Sequence, residues 1–449
     1  MKSRRKFKIG VGAFCCCLYL MMAFSVHAAS AIKVGIVLPL TGKLAKFGEI
    51  EKLSFDLALQ EINAAGGIRG RPLEFLIEDT TGRPDIGRSA AEKLISQDRV
   101  VLLGGGYSSS VTAAVAGVAI NKAFPFLVNT GSADNITEPI SHTPSGKRAA
   151  RLQKRLHDEK DPGKQKGLEA KIKKLEARAE KEAERILPRF RIFRMNPPVS
   201  EYASGLESFL KEVVRPKTTV ILHENSLFGT KGAVAFEKSA KKMGIQVFLK
   251  ESYDAGAVDF KPLLSKIKQL NPDIVYMISY VLDASLLMNQ SMQLQMNPKL
   301  FVGAGAGFTL PEFYKNTGKA GEKVVSAILW HQSLPLPGAK EYYDKFKRVY
   351  NRETEYHGAE AYAAAYVIAD VLKRAKSFSK ADITKALSET DLMTIFGPIH
   401  FTSYGTKVNQ NKMQTYVVQW QDGKLSMIWP GNLAKRKYVF PVNWIEERK

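Results

Sequence analysis

The stretch GGGYSSS at residues 104–110 places glycine and serine where an apolar run ends and a helix-compatible stretch begins. A phosphate-binding loop would need a lysine at the helix start, and neither this stretch nor its neighbours supply one. A dinucleotide fingerprint would need glycine at Ser109, and a nucleophile elbow would need glycine at Ser110. The residue types therefore argue against all three enzymatic motifs.

A helix start beside hydroxyl groups can instead bind an anion. A helix beginning near Ser109 leaves its first backbone N–H groups unpaired and partly positive, and the neighbouring serines add hydroxyl donors. The simpler alternative is that one serine only caps the helix. Thr130, Gly131 and Ser132 repeat the same chemistry after the next apolar run, FPFLVN. Because ligands of open α/β sheets lie beyond the carboxyl ends of the strands, the two turns together favour a carboxylate site.

The sequence offers little support for catalysis or metal binding. Its histidines show no metal-binding spacing, and its three cysteines, Cys15 to Cys17, all fall within the first 28 residues. Glu224 and Asp254 could form a carboxylate pair, but solvated loop charges explain them equally well. We therefore expect a protein that is not an enzyme, with no catalytic residues, no cofactor and no metal.

Residues 1–28 have the pattern of a cleaved secretory signal peptide, which predicts a periplasmic protein. Five basic residues precede the uncharged run 9–24, and Val26-His27-Ala28 supplies small residues for cleavage. An uncleaved membrane anchor is the alternative, because the uncharged stretch extends to Ile32. The net charge is +22, of which five charges lie in this segment, leaving +17. An exported protein rarely meets nucleic acid, so we expect no nucleic-acid partner and interpret the excess as surface charge.

From residue 33 onward, short apolar runs alternate with amphipathic stretches. KVGIVLPL, LEFLIED, RVVLLGG and FPFLVN form a first series, and FRIFRM, TTVILH, IQVFLKE, DIVYMI and KLFVGA form a second. Residues 361–375 have the composition of a core helix. This alternation predicts an α/β fold with two doubly wound parallel-sheet lobes.

A charged segment separates the two series. Residues 147–185 contain 14 Lys and Arg against 8 Asp and Glu, and apolar residues recur at three- and four-residue steps from Leu168 to Ala179. This spacing predicts an inserted charged helical hairpin at 141–189. The hairpin could contact a protein partner; the alternative is a solvated, partly mobile excursion.

Several stretches together resemble the solute-binding proteins of branched-chain amino acid ABC transporters, the type I periplasmic binding proteins. They are the region from KVGIVLPLTG to EDTTGRP, followed by VVLLGGGYSSSVTAAV and FPFLVNTGSADNIT. The resemblance covers nearly the whole mature chain apart from the hairpin and the last twenty or so residues. It implies capture of a small ligand between two lobes by hinge closure, and delivery to an ABC permease in the membrane.

The resemblance also implies that the chain crosses three times between the lobes, near 190–195, 327–330 and 396–401. Lobe 1 is then expected to comprise residues 31–140 and 331–400, and lobe 2 residues 190–330 and 401–430. Residues 431–449 would form a C-terminal tail.

By resemblance, Ser108 corresponds to the serine that binds the ligand carboxylate, with Thr130, Gly131 and Ser132 beside it. The remaining expected ligand contacts are Phe47 and Tyr107 from lobe 1, and Phe228, Tyr280 and Gly305 from lobe 2.

Gly305 departs from the family pattern, since amino-acid binders carry an acidic residue there to pair the ligand ammonium. Burying an ammonium without its partner costs several kcal/mol. We therefore expect a small carboxylate with an apolar or aromatic body, with a branched-chain amino acid as the second choice. A ligand sensor of the same fold that signals to a partner protein is the alternative to a transport protein.

Overall fold

The structure is a computed structural model that describes residues 30–448. The predicted signal peptide, residues 1–28, lies outside the described residues. Within residues 30–448, no helix is both long and apolar enough to cross a membrane.

Within the described residues, fifteen strands form two sheets. In chain order the strands are β1 (Ile32–Leu38), β2 (Leu73–Asp79), β3 (Leu102–Gly105), β4 (Phe126–Val128), β5 (Ile192–Arg194), β6 (Thr218–Glu224), β7 (Gln246–Tyr253), β8 (Ile274–Ile278), β9 (Leu300–Gly303), β10 (Val325–Ile328), β11 (Asp391–Thr394), β12 (Gly397–Tyr404), β13 (Lys407–Asn411), β14 (Tyr416–Gln421) and β15 (Lys424–Trp429). The central strands β3, β4, β8 and β9 are buried along their whole length, as parallel strands covered on both faces must be.

The helices cover these sheets and supply the connections between parallel strands. In chain order they are α1 (Ala45–Ala64), α2 (Pro84–Ser96), α3 (Ser109–Lys122), α4 (Pro139–His142), α5 (Pro144–Asp158), α6 (Pro162–Ile186), α7 (Val199–Tyr202), α8 (Ser204–Phe209), α9 (Leu227–Lys242), α10 (Lys261–Leu270), α11 (Val281–Gln293), α12 (Pro311–Thr317), α13 (Ala339–Tyr350), α14 (Tyr356–Arg374), α15 (Lys380–Ser388) and α16 (Trp444–Glu447).

The predicted fold of two doubly wound sheets is confirmed. The first sheet has the order β11-β12-β13-β5-β4-β3-β1-β2, and the second has the order β15-β14-β10-β9-β8-β6-β7. Strands β1 to β5 pair in parallel in the first sheet, and β6 to β10 do so in the second. Antiparallel strands complete one edge of each sheet.

The sheets place two of the lobe boundaries later than the sequence predicts. β5 belongs to the first sheet, and the chain is in that sheet again from β11 to the end of β13 at Asn411. The reason is a set of buried amides: Gln410 donates to Asn196 O and accepts from Arg194, and Asn411 donates to Met195 O. The segment 401–411, expected in lobe 2, therefore lies in the first sheet.

The predicted hairpin is present as α5 and α6. Each helix begins with proline after a capping side chain: Thr143 accepts from Gly146 N, and Asp161 accepts from Lys164 N. Ser145 donates to Glu182 through both its backbone N–H and its hydroxyl, which joins the start of α5 to the end of α6. The C-terminal tail packs against the second sheet, where Trp444 is buried edge-on against Phe301.

Candidate functional site

A small cavity lies beyond the carboxyl ends of β3 and β4 and is lined by residues from both halves of the molecule. Ten residues line it: Tyr107, Ser109, Thr130, Ser132, Tyr202, Phe228, Tyr280, Ala306, Tyr356 and His357. The cavity measures about 20 Å³, which is room for roughly one water molecule. The cleft is therefore closed in this structure.

The turns after β3 and β4 are joined to each other at this cavity. Gly131 N donates to Gly106 O, and the hydroxyl of Ser109 accepts from the backbone N–H groups of Ser132 and Ala133. Gly131 must be glycine because a Cβ there would stand 2.5 Å from Thr112 Oγ1. The two polar turns of the sequence thus form one rigid unit.

Ser108 occupies the N-cap position of α3, but its side chain makes no capping hydrogen bond. The hydroxyl of Ser108 therefore does not cap the helix, which argues against the simpler alternative for this serine. Beneath the turn, the buried guanidinium of Arg194 donates to the carbonyls of Gly131 and Ala133. Burial lowers the pKa of Arg194 to about 10, so it remains positively charged at neutral pH.

Aromatic rings form the walls of the cavity. Tyr107 stacks on Phe47 with the ring centroids 4.6 Å apart, and Phe47 also meets Tyr280 at 6.1 Å. Phe228 lies 6.2 Å from Tyr280 and 6.1 Å from Tyr202. Because these rings come from both sheets, the apolar part of the site is assembled only when the two halves meet.

Gly305 brings no charge to the second sheet's side of the cavity. It has a positive φ of 73°, a conformation that favours glycine. A Cβ built there would stand 3.4 Å from the hydroxyl of Tyr356, which accepts from Ala306 N. A phenol thus lies next to the position where amino-acid binders carry an acidic side chain.

Two buried glutamates lie behind Thr130. The Thr130 hydroxyl is 2.8 Å from Glu51 Oε1 and 2.8 Å from Glu360 Oε2, and Asn129 Nδ2 donates to Glu51 Oε2 at 3.0 Å. Burial raises the pKa of Glu51 to about 7 and raises the pKa of Glu360 well above its ordinary value. The side chain of Thr130 is therefore engaged by protein carboxyl groups.

A second buried pair lies at the start of α14. His357 Nδ1 is 2.8 Å from Glu355 Oε1, and the His357 ring lies 5.0 Å from Phe47 and 5.4 Å from Tyr107. This contact fixes Nδ1 on the carboxylate and leaves Nε2 as the ring nitrogen available to other partners.

Of the nine residues predicted from sequence, five line the cavity and four do not. Tyr107, Thr130, Ser132, Phe228 and Tyr280 line it. The other four are buried and adjacent to lining residues: Phe47, Ser108, Gly131 and Gly305.

Sequence reasoning missed Ser109, Tyr202, Ala306, Tyr356 and His357 as lining residues, and Glu51 and Glu360 behind them. The serine run contained Ser109, whereas no sequence signal marked Tyr202, the last residue of α7, or Tyr356, the first residue of α14. Nothing in the sequence distinguishes Glu51 from a solvent-exposed glutamate, because the charged residue Lys52 follows it.

Among residues 30–448, no group of three or more acidic, histidine or cysteine side chains could hold a metal ion.

Two α/β halves that enclose a cavity at their strand tips are the architecture of a solute-binding protein. A family model described as periplasmic binding protein matches residues 31–148 and 188–424. The chain therefore belongs to the periplasmic binding protein family, whose members bind small solutes outside the cytoplasm. The unmatched residues between the two segments contain α6 and most of α5.

Relatives of this chain agree with that assignment. Leu/Ile/Val-binding protein homolog 7 of Brucella melitensis is 26% identical over 439 residues, which cover 94% of this chain and 97% of that protein. The branched-chain amino acid transporter substrate-binding protein LivJ of Streptococcus pneumoniae, solved with isoleucine, has a TM-score of 0.71 at 22% identity and covers 89% of this chain and 100% of its own. A solute-binding protein of an ABC transporter from R. palustris, solved with benzoate, has a TM-score of 0.69 at 18% identity and covers 89% and 95%.

The join between the two turns is testable by substitution. Ser109→Ala removes the acceptor of two buried backbone N–H groups, so we expect the free energy of unfolding to fall by about 1–3 kcal/mol. Urea denaturation measures this change. Ser110→Ala is the matched control, because its hydroxyl accepts one long bond, 3.4 Å from Leu227 N, and we expect a change within about 0.5 kcal/mol. Equal effects of the two substitutions would contradict the proposed join.

Proposed function

We propose that this protein captures a small organic carboxylate with an aromatic or branched apolar body and delivers it to an ABC importer. The observation that carries this proposal is the composition of the cavity. Serine and threonine turns lie at one side, aromatic rings form the walls, and glycine stands at position 305.

The polar turns suit the carboxylate end of such a ligand. The first backbone N–H groups of α3 carry partial positive charge, and the hydroxyl of Ser132 adds a donor at the cavity surface. The Arg194 guanidinium lies one layer below, on the carbonyls of the same turn. A negative charge is stabilised there by dipoles and by a fixed cation without direct ion pairing.

The aromatic walls suit the apolar body of the ligand. Flat rings spaced about 6 Å apart offer stacking and edge contacts to an arene or a branched alkyl group. The R. palustris and S. pneumoniae neighbours were solved with benzoate and isoleucine, both of which are carboxylates with apolar bodies. Gly305 leaves an ammonium without its expected partner on the second lobe, which favours an acid lacking an amino group.

Ligand entry requires the cleft to open, since the closed cavity has room for about one water molecule. Contacts that hold the halves together include Lys43 Nζ to Ala255 O at 2.9 Å, which joins the loop before α1 to the loop after β7. We propose that hinge motion separates the two halves, and that a bound solute replaces part of the aromatic contact between them.

We further propose that residues 1–28 direct export to the periplasm and are cleaved, and that the closed form is recognised by a membrane permease. The hairpin of α5 and α6 is proposed as a surface for a protein partner. Lys147, Arg148, Arg151, Lys154 and Arg155 make α5 strongly basic, and all five are exposed. An acidic surface on the partner would complement them.

Calorimetry tests the ligand class. We expect the mature protein to bind benzoate stoichiometrically and leucine more weakly. Ser108→Ala and Ser132→Ala should each weaken benzoate binding by about 1–3 kcal/mol if their hydroxyls contact the carboxylate. Tight stoichiometric binding of leucine or valine, or unchanged benzoate affinity in both variants, would contradict the proposal.

Removal of the hairpin separates ligand binding from partner contact. When residues 144–186 are replaced by a short Gly-Ser linker, we expect benzoate affinity to stay within about twofold, because the hairpin supplies no cavity residue. Uptake through the permease should fall. Lys154→Glu with Arg155→Glu, which keeps both helices, should reproduce the loss of uptake. A loss of benzoate binding after deletion would assign the hairpin to the ligand site.

A further inference from the structure

The hydroxyl of Thr130 lies at the centre of a buried polar group. Three side-chain atoms surround Thr130 Oγ1, which is 2.8 Å from Asn129 Nδ2, 2.8 Å from Glu51 Oε1 and 2.8 Å from Glu360 Oε2. Both glutamates are fully buried, and Thr130 itself lines the cavity. The protonation state of these glutamates therefore affects the charge beside the ligand.

The hydrogen-bonding capacity of a hydroxyl decides that state. A threonine hydroxyl has one proton to donate and two lone pairs with which to accept. Because the hydroxyl has a single proton, it can donate to one glutamate only. One of its lone pairs accepts from Asn129 Nδ2, which leaves the second lone pair for one more donor. The contact with the other glutamate is a hydrogen bond only if that glutamate carries a proton and donates it to Thr130.

The partners of each glutamate identify which one is protonated. Glu51 accepts at both oxygens, from Asn129 Nδ2 at Oε2 and from Thr130 at Oε1, which suits the ionised or partly ionised form. Glu360 has only the Thr130 contact, and within residues 30–448 its Oε1 is buried without a hydrogen-bond partner. A negative charge on Glu360 would be desolvated and unpaired, which costs several kcal/mol.

The other ionisable groups near the pair do not neutralise it with a fixed positive charge. From α14, Glu355 opposes ionisation of both glutamates, and His357, held by Glu355, favours ionisation of Glu51. The phenols of Tyr107 and Tyr202 adjoin Glu51 and Glu360 respectively. Burial is the largest influence on both glutamates, and it raises their pKa values.

We propose that the carboxyl group of Glu360 is protonated and donates a hydrogen bond to Thr130 Oγ1. We further propose that Glu360 and Glu51 together are specificity-determining residues of the cleft. While Glu360 is protonated, the group behind Thr130 carries at most one negative charge, so an anionic carboxylate at the neighbouring turn meets less repulsion than two ionised glutamates would cause. When Glu51 is fully ionised, electrostatic repulsion weakens the binding of an anionic ligand. This inference rests on the proposed function for its ligand, but the buried proton is a property of the protein alone.

Infrared difference spectroscopy of the ligand-free mature protein tests the proton directly. We expect the carbonyl stretch of protonated carboxyl groups at pH 7 in the unmodified protein and a weaker band in Glu360→Gln, in which Glu51, with a pKa of about 7, still contributes. The amide of glutamine can donate to Thr130 as the protonated acid does, so this variant should fold normally. The control Glu389→Gln, an exposed surface glutamate on the same half, should retain the band. An unchanged spectrum in Glu360→Gln would overturn the proposal.

Benzoate titration at several pH values tests the consequence for binding. Burial raises the pKa of Glu51 to about 7, so its negative charge increases between pH 6 and pH 9, and benzoate affinity should fall by about tenfold over this range. Glu51→Gln should abolish this dependence, whereas Glu389→Gln should keep it. Benzoate affinity that is independent of pH in the unmodified protein would overturn the role in specificity. Absence of benzoate binding at every pH would instead count against the proposed function, and the infrared result would still decide whether the proton is present.

Discussion

The site depends on a constraint that applies to every parallel sheet: the chain must leave each strand's carboxyl end through a turn whose backbone groups still need partners. In this protein the turns after β3 and β4 satisfy part of that need from each other, through Ser109 and through the Gly131 to Gly106 hydrogen bond. The join fixes where the amides and hydroxyls point. Because it uses short side chains and a glycine, it leaves the opposite face of the turns open to a guest.

The second half of the molecule contributes no charged side chain to the cavity lining. Its contribution is aromatic, through Phe228 and Tyr280, and position 305 has no side chain. The ionisable groups around the turn after β4 come from the first half, as Arg194 below the turn and as the glutamates behind Thr130. In the proposed complex the first half supplies the polar turns and aromatic rings such as Tyr107, and the second half adds Phe228 and Tyr280, so the site is completed only on closure.

The sequence predicted most of the fold, because continuous apolar runs such as those of β3 and β8 have few alternatives to buried parallel strands. It did not predict β13, since the polar sequence KVNQN becomes a strand only through the tertiary partners of Gln410 and Asn411. It also placed the start of the core helix at 361, whereas α14 begins at Tyr356. That difference matters because the first turn of α14 reaches the cavity.

The candidate site was predictable where local chemistry is visible and unpredictable where distant segments meet. Ser132 and Tyr280 lie within four residues of the ends of β4 and β8, so their position near the strand tips could be inferred. Glu51 and Glu360 are separated by more than three hundred residues and share one hydroxyl only in the folded state. An acidic residue on an amphipathic helix predicts solvent exposure, and only tertiary packing reverses that expectation.

The central claim is that the turns after β3 and β4 bind the carboxylate of a solute whose apolar body lies among the aromatic rings. A crystal structure of the mature protein with 4-bromobenzoate tests it most directly, because anomalous scattering from bromine fixes the direction of the ligand. The account predicts the carboxylate within hydrogen-bonding distance of the backbone at Ser109 and the side chain of Ser132, with bromine toward Phe228 and Tyr280. Bromine at the serine turns, or the ligand outside the cleft, would contradict it.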